Sequence, residues 1–259
     1  KNIECFVIIL RKLYKSQRVE LIIRIVNKLL LPFVLLRDFL VELSIKNLSE
    51  KKRFELIYKS GYWKGFIGES LSGVGSSFDA TENIRRELPI LLSEFNIRSM
   101  LDLPCGDFYW MSQIDLQDIK YIGGDIVPDI IKENQANFDE NNRKFMELNV
   151  IEDKLPTVDL IFVRDCLVHL EEQQIIDAIK NIVNSGSVYF ATTTYPKITE
   201  NQKPVNKDRW RQLNLTLTPF SLPVPIKYLD DSCSSISLDV DKCIGIWRID
   251  DLLGLASHD

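Results

Sequence analysis

The sequence lacks the marks of a metal-bound or disulfide-framed protein. Its five cysteines (Cys5, Cys105, Cys166, Cys233 and Cys243) stand at wide, irregular intervals, with no CxxC pair and no Cys/His cluster. That usage points to a reducing, intracellular setting, the cytoplasm. Long apolar runs are missing too. A spanning helix needs about 20 apolar residues, whereas the run LLLPFVLL at residues 29–36 is short and interrupted by Pro32. Neither a signal peptide nor an internal repeat is evident. The first residue is Lys1 rather than Met, so further chain upstream is expected.

What is present is an ordinary globular composition, 45% hydrophobic and 27% charged, enough for one sizeable core. The net charge of -5 is unevenly spread. Residues 1–60 carry 13 Lys and Arg against 6 Asp and Glu, while the remainder carries 19 against 31. A body so acidic is a poor partner for nucleic acid, whose phosphates demand clustered cations. The basic segment 1–60 reads as an extension or linker of amphipathic helices from Cys5 to Ile45. It is suited to docking on a neighbouring domain or, as an alternative, to peripheral contact with a membrane.

Residues 61–259 read as one domain. A Gly- and Ser-rich stretch, Gly61 to Ser77, marks a loop. Asp79 and Glu82 then have capping-box spacing ahead of a helix predicted over Ala80–Phe95. From Ile97 short apolar runs alternate with amphipathic segments. Strands are predicted at Arg98–Leu103, Tyr121–Asp125, Lys144–Val150, Val158–Val163 and Ser187–Thr192, and helices at Phe108–Gln113, Pro128–Phe138 and Glu171–Asn184. Two late strands, Ile226–Leu229 and Cys243–Ile249, follow a long polar region. The pattern predicts an α/β fold: a mostly parallel, Rossmann-like sheet of seven strands, closed by a C-terminal antiparallel hairpin and preceded by helices.

Ligands of such sheets bind beyond the carboxyl ends of the strands, which singles out the loop after the first strand. A dinucleotide loop wants G-x-G-x-x-G, so that backbone N–H groups can approach a pyrophosphate. Here a single glycine, Gly106, stands between Asp102 and Asp107. Two carboxylates repel a pyrophosphate but suit a cofactor bearing a sulfonium and an ammonium group, which favours S-adenosylmethionine over NAD. Asp125, at the end of the second strand, is placed to accept hydrogen bonds from ribose hydroxyls. The plainer alternative is that it caps the helix near Pro128.

With the runs LDLPCGDFYWM, YIGGDI, VDLIFVRDCLVHL and WRQLNL…PFSLP in view, the chain from about Gly61 to Leu252 resembles class I S-adenosylmethionine-dependent methyltransferases. It is similar in particular to sugar O-methyltransferase domains attached to glycan-building enzymes, such as those of large algal viruses. The resemblance implies that Asp102, Pro104, Cys105, Gly106 and Asp107 surround the methionine moiety and that Asp125 and Ile126 meet ribose and adenine. Asn149 and Val150 would lie near the adenine amine. Asn149 departs from the usual Asp there, yet its amide oxygen can still accept an N–H. Arg164 is grouped with the cofactor loops, pairing with a carboxylate to hold them. Ser77 and Thr81, near Tyr62 and Ser76, would belong to a lid.

The resemblance also sets the end of the fourth strand opposite the transferred methyl. His169 is the leading general base, since an imidazole titrates near neutrality. Asp165, four residues earlier, competes as base or as the group orienting His169. The two could also be metal ligands, but no third ligand is evident, and a metal-free reaction is expected. Trp63, Tyr195, Asn201, Trp210, Arg211 and Asn214 are the candidate acceptor residues, aromatic faces mixed with hydrogen-bonding groups as a sugar requires. The expected function is O-methylation of a sugar or glycan, with an upstream glycosyltransferase domain as a candidate partner and the host cytoplasm as the site if the chain is viral. The alternatives are a small-metabolite or lipid acceptor, or a silent scaffold.

Overall fold

The computed structural model describes residues 32–46, 48–64, 69–116, 118–204, 209–233 and 241–256. The amphipathic helices expected before residue 32 lie outside the described residues. Helical backbone covers residues 32–45 (α1), followed by α2 (Glu50–Ser60), which ends on Gly61 at φ 65°. Three further α-helices follow: α3 (Glu82–Glu94), α4 (Pro128–Phe138) and α5 (Glu172–Val183). Among the described residues, no helix is long and apolar enough to cross a membrane.

Seven strands form one sheet: β1 (Ser99–Asp102), β2 (Lys120–Asp125), β3 (Arg143–Glu147), β4 (Leu160–Val163), β5 (Tyr189–Thr194), β6 (Lys227–Asp230) and β7 (Cys243–Arg248). Their order is β3-β2-β1-β4-β5-β7-β6. The first five run parallel, and β7 inserts antiparallel between β5 and β6. The order reverses at β1, which pairs with β2 on one side and β4 on the other. That reversal opens a crevice beyond the strand ends.

The central strands are buried on both faces, as their near-continuous apolar runs demand. Alternate residues feed two cores. Leu101, Ile161, Val163, Phe190 and Trp247 pack with α5, while Met100, Leu160, Phe162, Ala191 and Ile246 pack with α3. Helix α5 presents Ile175, Ala178, Ile179, Ile182 and Val183 on a single face and opens with a reciprocal Glu171–Gln174 capping box. Pro128 begins α4, where its missing N–H costs nothing.

Two local expectations are corrected. The helix predicted over Phe108–Gln113 is a series of turns closing in a short 3-10 turn, Met111–Gln113, because Phe108 takes φ 56° and breaks the helical path. The helix predicted from Ala80 starts at Glu82 with Thr81 as its N-cap. Asp79 makes no capping box with Glu82, since the preceding turn is instead held by Ser77 accepting the Ala80 N–H at 3.3 Å.

Candidate active site

A cavity of about 360 Å³ occupies the crevice at the carboxyl ends of the parallel strands. It is lined by Asp102, Pro104, Cys105, Gly106 and Asp107 after β1, by Asp125 and Ile126 after β2, and by Asn149 and Val150 after β3. Arg164, Asp165 and His169 line it after β4, and Trp63 and Trp210 come from flanking segments. Fourteen of the twenty sequence candidates therefore share one space.

At the β1–β2 end the carboxylates are buried with few partners. Asp102 is 3% exposed and accepts from the Tyr121 hydroxyl at 2.6 Å. Burial pushes its pKa up to about 7, against the opposing effects of the Tyr121 bond and the Arg164 cation. Asp125 accepts the Val127 N–H at 2.9 Å and the Gly106 N–H at 3.2 Å, and burial raises it to about 6 in spite of those bonds. The plainer reading, a cap on the helix near Pro128, does not hold: Val127 is the N-cap, it has no side-chain cap bond, and Asp125 only accepts the N–H of Val127 itself. Both oxygens of Asp125 still have acceptor capacity towards the cavity.

Asp107 serves the loop above. Its carboxylate accepts from the Ser70 and Ser72 hydroxyls and from the Leu71 N–H at 2.7 Å, tying residues 70–72 across the cavity rim. Gly106, at φ 53°, belongs to the same clasp: a Cβ there would lie 2.3 Å from the Ser72 hydroxyl oxygen. The Asn149 side-chain oxygen accepts the Ile151 N–H at 3.0 Å, so it also shapes its own turn. Burial pushes the Cys105 thiol well up and the Cys166 thiol to about 12, which leaves neither as a ready nucleophile.

The β4 end is built differently. Arg164 forms a two-pronged ion pair with buried Asp231 at 2.9 and 3.1 Å and donates to the Gly75 carbonyl at 2.9 Å. Asp165 takes the left-handed conformation, φ 53°, and meets Lys242 at 2.6 Å and Arg164 at 3.2 Å. Burial alone would raise Asp165, but the Lys242 and Arg164 cations outweigh it and hold the carboxyl at about 2. So strongly acidic a group is a weak proton acceptor at neutral pH. Asp165 therefore does not fit the role of general base. His169 ends a 3-10 turn, Leu167–His169, rather than sharing an α-helical face with Asp165. Its ring packs on Trp63 with centroids 5.0 Å apart.

Six candidates lie outside the cavity lining. Thr81 is fully buried, donating to the Ser77 carbonyl at 2.9 Å, and Ser77 caps the following turn. Tyr195 belongs to the core and meets Trp210 edge-on. The Asn201 side chain donates to the Asn214 carbonyl and accepts the Asn214 N–H, while the Asn214 amide donates to the Pro196 and Ile198 carbonyls, and together they pin the loop after β5. Arg211 donates to the Val168 carbonyl at 3.3 Å. These polar side chains satisfy buried backbone groups of their own loops, a demand that composition cannot distinguish from ligand binding.

Residues outside the sequence candidates complete the site. Glu50, Phe54 and Tyr58 line the cavity from α2, and Lys242 lines it from the segment before β7. A boundary after residue 60 thus cuts α2 away from a cavity it walls. The i, i+4, i+8 spacing of Glu50, Phe54 and Tyr58 is a signal that could have marked one face of α2. Lys242 carries no comparable signal. Among the described residues, no group of three or more His, Cys, Asp or Glu is arranged to hold a metal ion.

No protein-family model matches the chain, and no curated protein matches its sequence. Solved structures do match its fold. PigF with SAH aligns at TM-score 0.54 and 12% identity over 75% of this chain and 61% of that one. The magnesium protoporphyrin IX methyltransferase of Synechocystis PCC 6803 with bound SAM aligns at TM-score 0.51 and 12% identity, covering 78% and 97%. The methyltransferase domain of bacterial CtHen1 aligns at TM-score 0.50 and 11% identity, covering 65% and 99%. The chain has the Rossmann-like class I methyltransferase fold, a mostly parallel seven-stranded sheet with an antiparallel C-terminal pair.

Proposed function

We propose that the chain transfers the methyl group of S-adenosylmethionine to a hydroxyl of a sugar or glycan. The observation that carries the reading is the pair of buried carboxylates, Asp102 and Asp125, flanking a single-glycine loop at the switch point of the sheet. Raised to about 7 and about 6 in spite of the bonds they accept, they retain an acceptor demand that an ammonium group and ribose hydroxyls meet. The fold neighbours with bound SAM or SAH support the same cofactor.

On this reading Asp125 receives the ribose hydroxyls, Asp102 faces the ammonium group, and Ile126 and Val150 flank the adenine. When bound, S-adenosylmethionine supplies an electrophilic methyl carbon on a cationic sulfur. His169 takes the proton of the acceptor hydroxyl, and the ionised Asp165 nearby favours the imidazolium that results. Lys242 and Arg164 keep Asp165 ionised. Phe54, Trp63 and Trp210 offer aromatic faces at this end, as a sugar's C–H faces require. The sugar itself rests on the resemblance of the sequence motifs. Incubation with labelled S-adenosylmethionine and a panel of rhamnosyl and fucosyl glycosides is expected to label at least one of them. Labelling of small phenols or lipids alone would refute the sugar.

One observation favours a second reading, a lipid-borne acceptor. Phe33, Leu36, Phe39, Leu40 and Leu43 of α1 are each more than half exposed, a stripe at helical spacing next to the basic N-terminal segment. Sedimentation with anionic vesicles tests it, and failure to co-sediment would remove it.

A further inference from the structure

The 3-10 turn Leu167–His169 closes with carbonyls that no following helix accepts into its own ladder, because α5 starts only at Glu172. Two buried arginines from distant segments take them. Arg211 donates to the Val168 carbonyl, and Arg53 of α2 donates to the His169 carbonyl at 3.0 Å. Arg53 is 1% exposed, is paired with Glu50 one helical turn earlier, and lies over the Phe54 ring at 4.5 Å. Glu50 in turn pairs with Arg209, which also reaches Glu171, the cap of α5 two residues beyond His169. Trp63, just after α2, packs in tilted contact against the His169 ring and against Phe54. Helix α2 therefore grips His169 by main chain and ring together. A guanidinium is suited to such a buried post, since its fixed fork serves a carboxylate and a carbonyl at once.

We propose that Arg53 is a positioning residue for His169 and that α2, though it lies in the basic extension, is part of the catalytic apparatus. The proposal rests on His169 being the proton acceptor of the proposed reaction. Several charged groups surround His169: Arg53 and Glu50 from α2, Asp165 from its own loop, and Arg209 and Arg211 from the stretch after β5. Removal of the Arg53 cation leaves the Glu50 carboxylate to Arg209 alone, and both changes favour the imidazolium.

The test uses the full chain labelled with ¹³C-histidine. The sequence holds only His169 and His258, so H169Q assigns the two imidazole signals. In R53M the His169 titration midpoint is expected to rise by about half a pH unit or more. The His258 signal should stay put. S-adenosylhomocysteine affinity, measured by calorimetry, should stay within about twofold, because Arg53 does not touch the β1–β2 end. R53K, which keeps the charge but not the fork, should move His169 in the same direction by less. A His169 midpoint in folded R53M that matches wild type overturns the proposal. If R53M does not fold, an unchanged His169 in R53K overturns it equally. Failure of the wild-type chain to bind S-adenosylhomocysteine would instead sink the proposed function, leaving the Arg53–His169 coupling to be read from the titration alone.

Discussion

The two ends of the cavity treat buried carboxylates in opposite ways. At the β1–β2 end, Asp102 and Asp125 are desolvated without a salt-bridge partner among the described residues, and their pKa values climb to about 7 and about 6. At the β4 end, Asp231 is fully buried and Asp165 partly so, but both are gripped by Lys242 and Arg164, and Asp165 falls to about 2. The first end has an electrostatic need that a ligand can meet. The second has met its need internally and is organised before any ligand arrives. A cleft divided this way has an unmet charge demand at one end and a fixed, internally paired constellation at the other.

The largest effect should come from breaking the completed end. K242M leaves Asp165 buried beside an apolar side chain, with Arg164 shared between two carboxylates. Loss of one partner of a buried pair costs about 3–5 kcal/mol. Urea unfolding should show that loss at pH 7, and a stability equal to wild type would mean that the pair is not integral. At the other end D102N should act with the opposite sign. An amide keeps an oxygen for the Tyr121 hydroxyl and sheds the cost of a buried charge, so the ligand-free protein should gain on the order of 1–2 kcal/mol at pH 8. Affinity for S-adenosylhomocysteine should meanwhile fall about 10- to 100-fold. Equal stability and equal affinity would erase the contrast.

The pH dependence sharpens the same comparison. For Asp102 and Asp125 the folded-state pKa exceeds the unfolded value near 4, so the folded chain holds those protons longer. Ligand-free stability should therefore fall as pH rises from about 4 to about 7 on their account. Asp165 runs the other way: its stabilisation is present above about pH 4 and is lost as pH drops towards 2. Thermal midpoints for wild type, D102N and K242M across this range should separate the two contributions, with the acid-side loss blunted in K242M. The smallest effect should come from N149A. It removes a turn bond to Ile151 worth about 1 kcal/mol and should weaken S-adenosylhomocysteine by less than about threefold.

The division also explains what could be read from sequence. All seven strands were legible because their apolar runs are short, bounded and separated by amphipathic segments. Once β1 and β2 are placed, Asp102, Gly106 and Asp125 follow as strand-end residues, so the β1–β2 end is essentially a local pattern. The β4 end is assembled from α2, residues 165–169, Trp210 and Lys242, and only the residues 165–169 have a local signature. Lys242 sits between β6 and β7 and becomes a partner of Asp165 only when β7 inserts next to β5. Tyr195, Asn201, Arg211 and Asn214 mislead for a related reason. A long loop packed on a sheet must satisfy its own backbone, and it does so with the same polar residues that would bind a sugar.

Calorimetric titration of the wild-type chain with S-adenosylhomocysteine and, separately, with NAD tests the central claim most directly. The buried carboxylates beside a single-glycine loop predict saturable binding of S-adenosylhomocysteine at one site per chain and no detectable heat from NAD. Binding of NAD, with none of S-adenosylhomocysteine, would contradict the account.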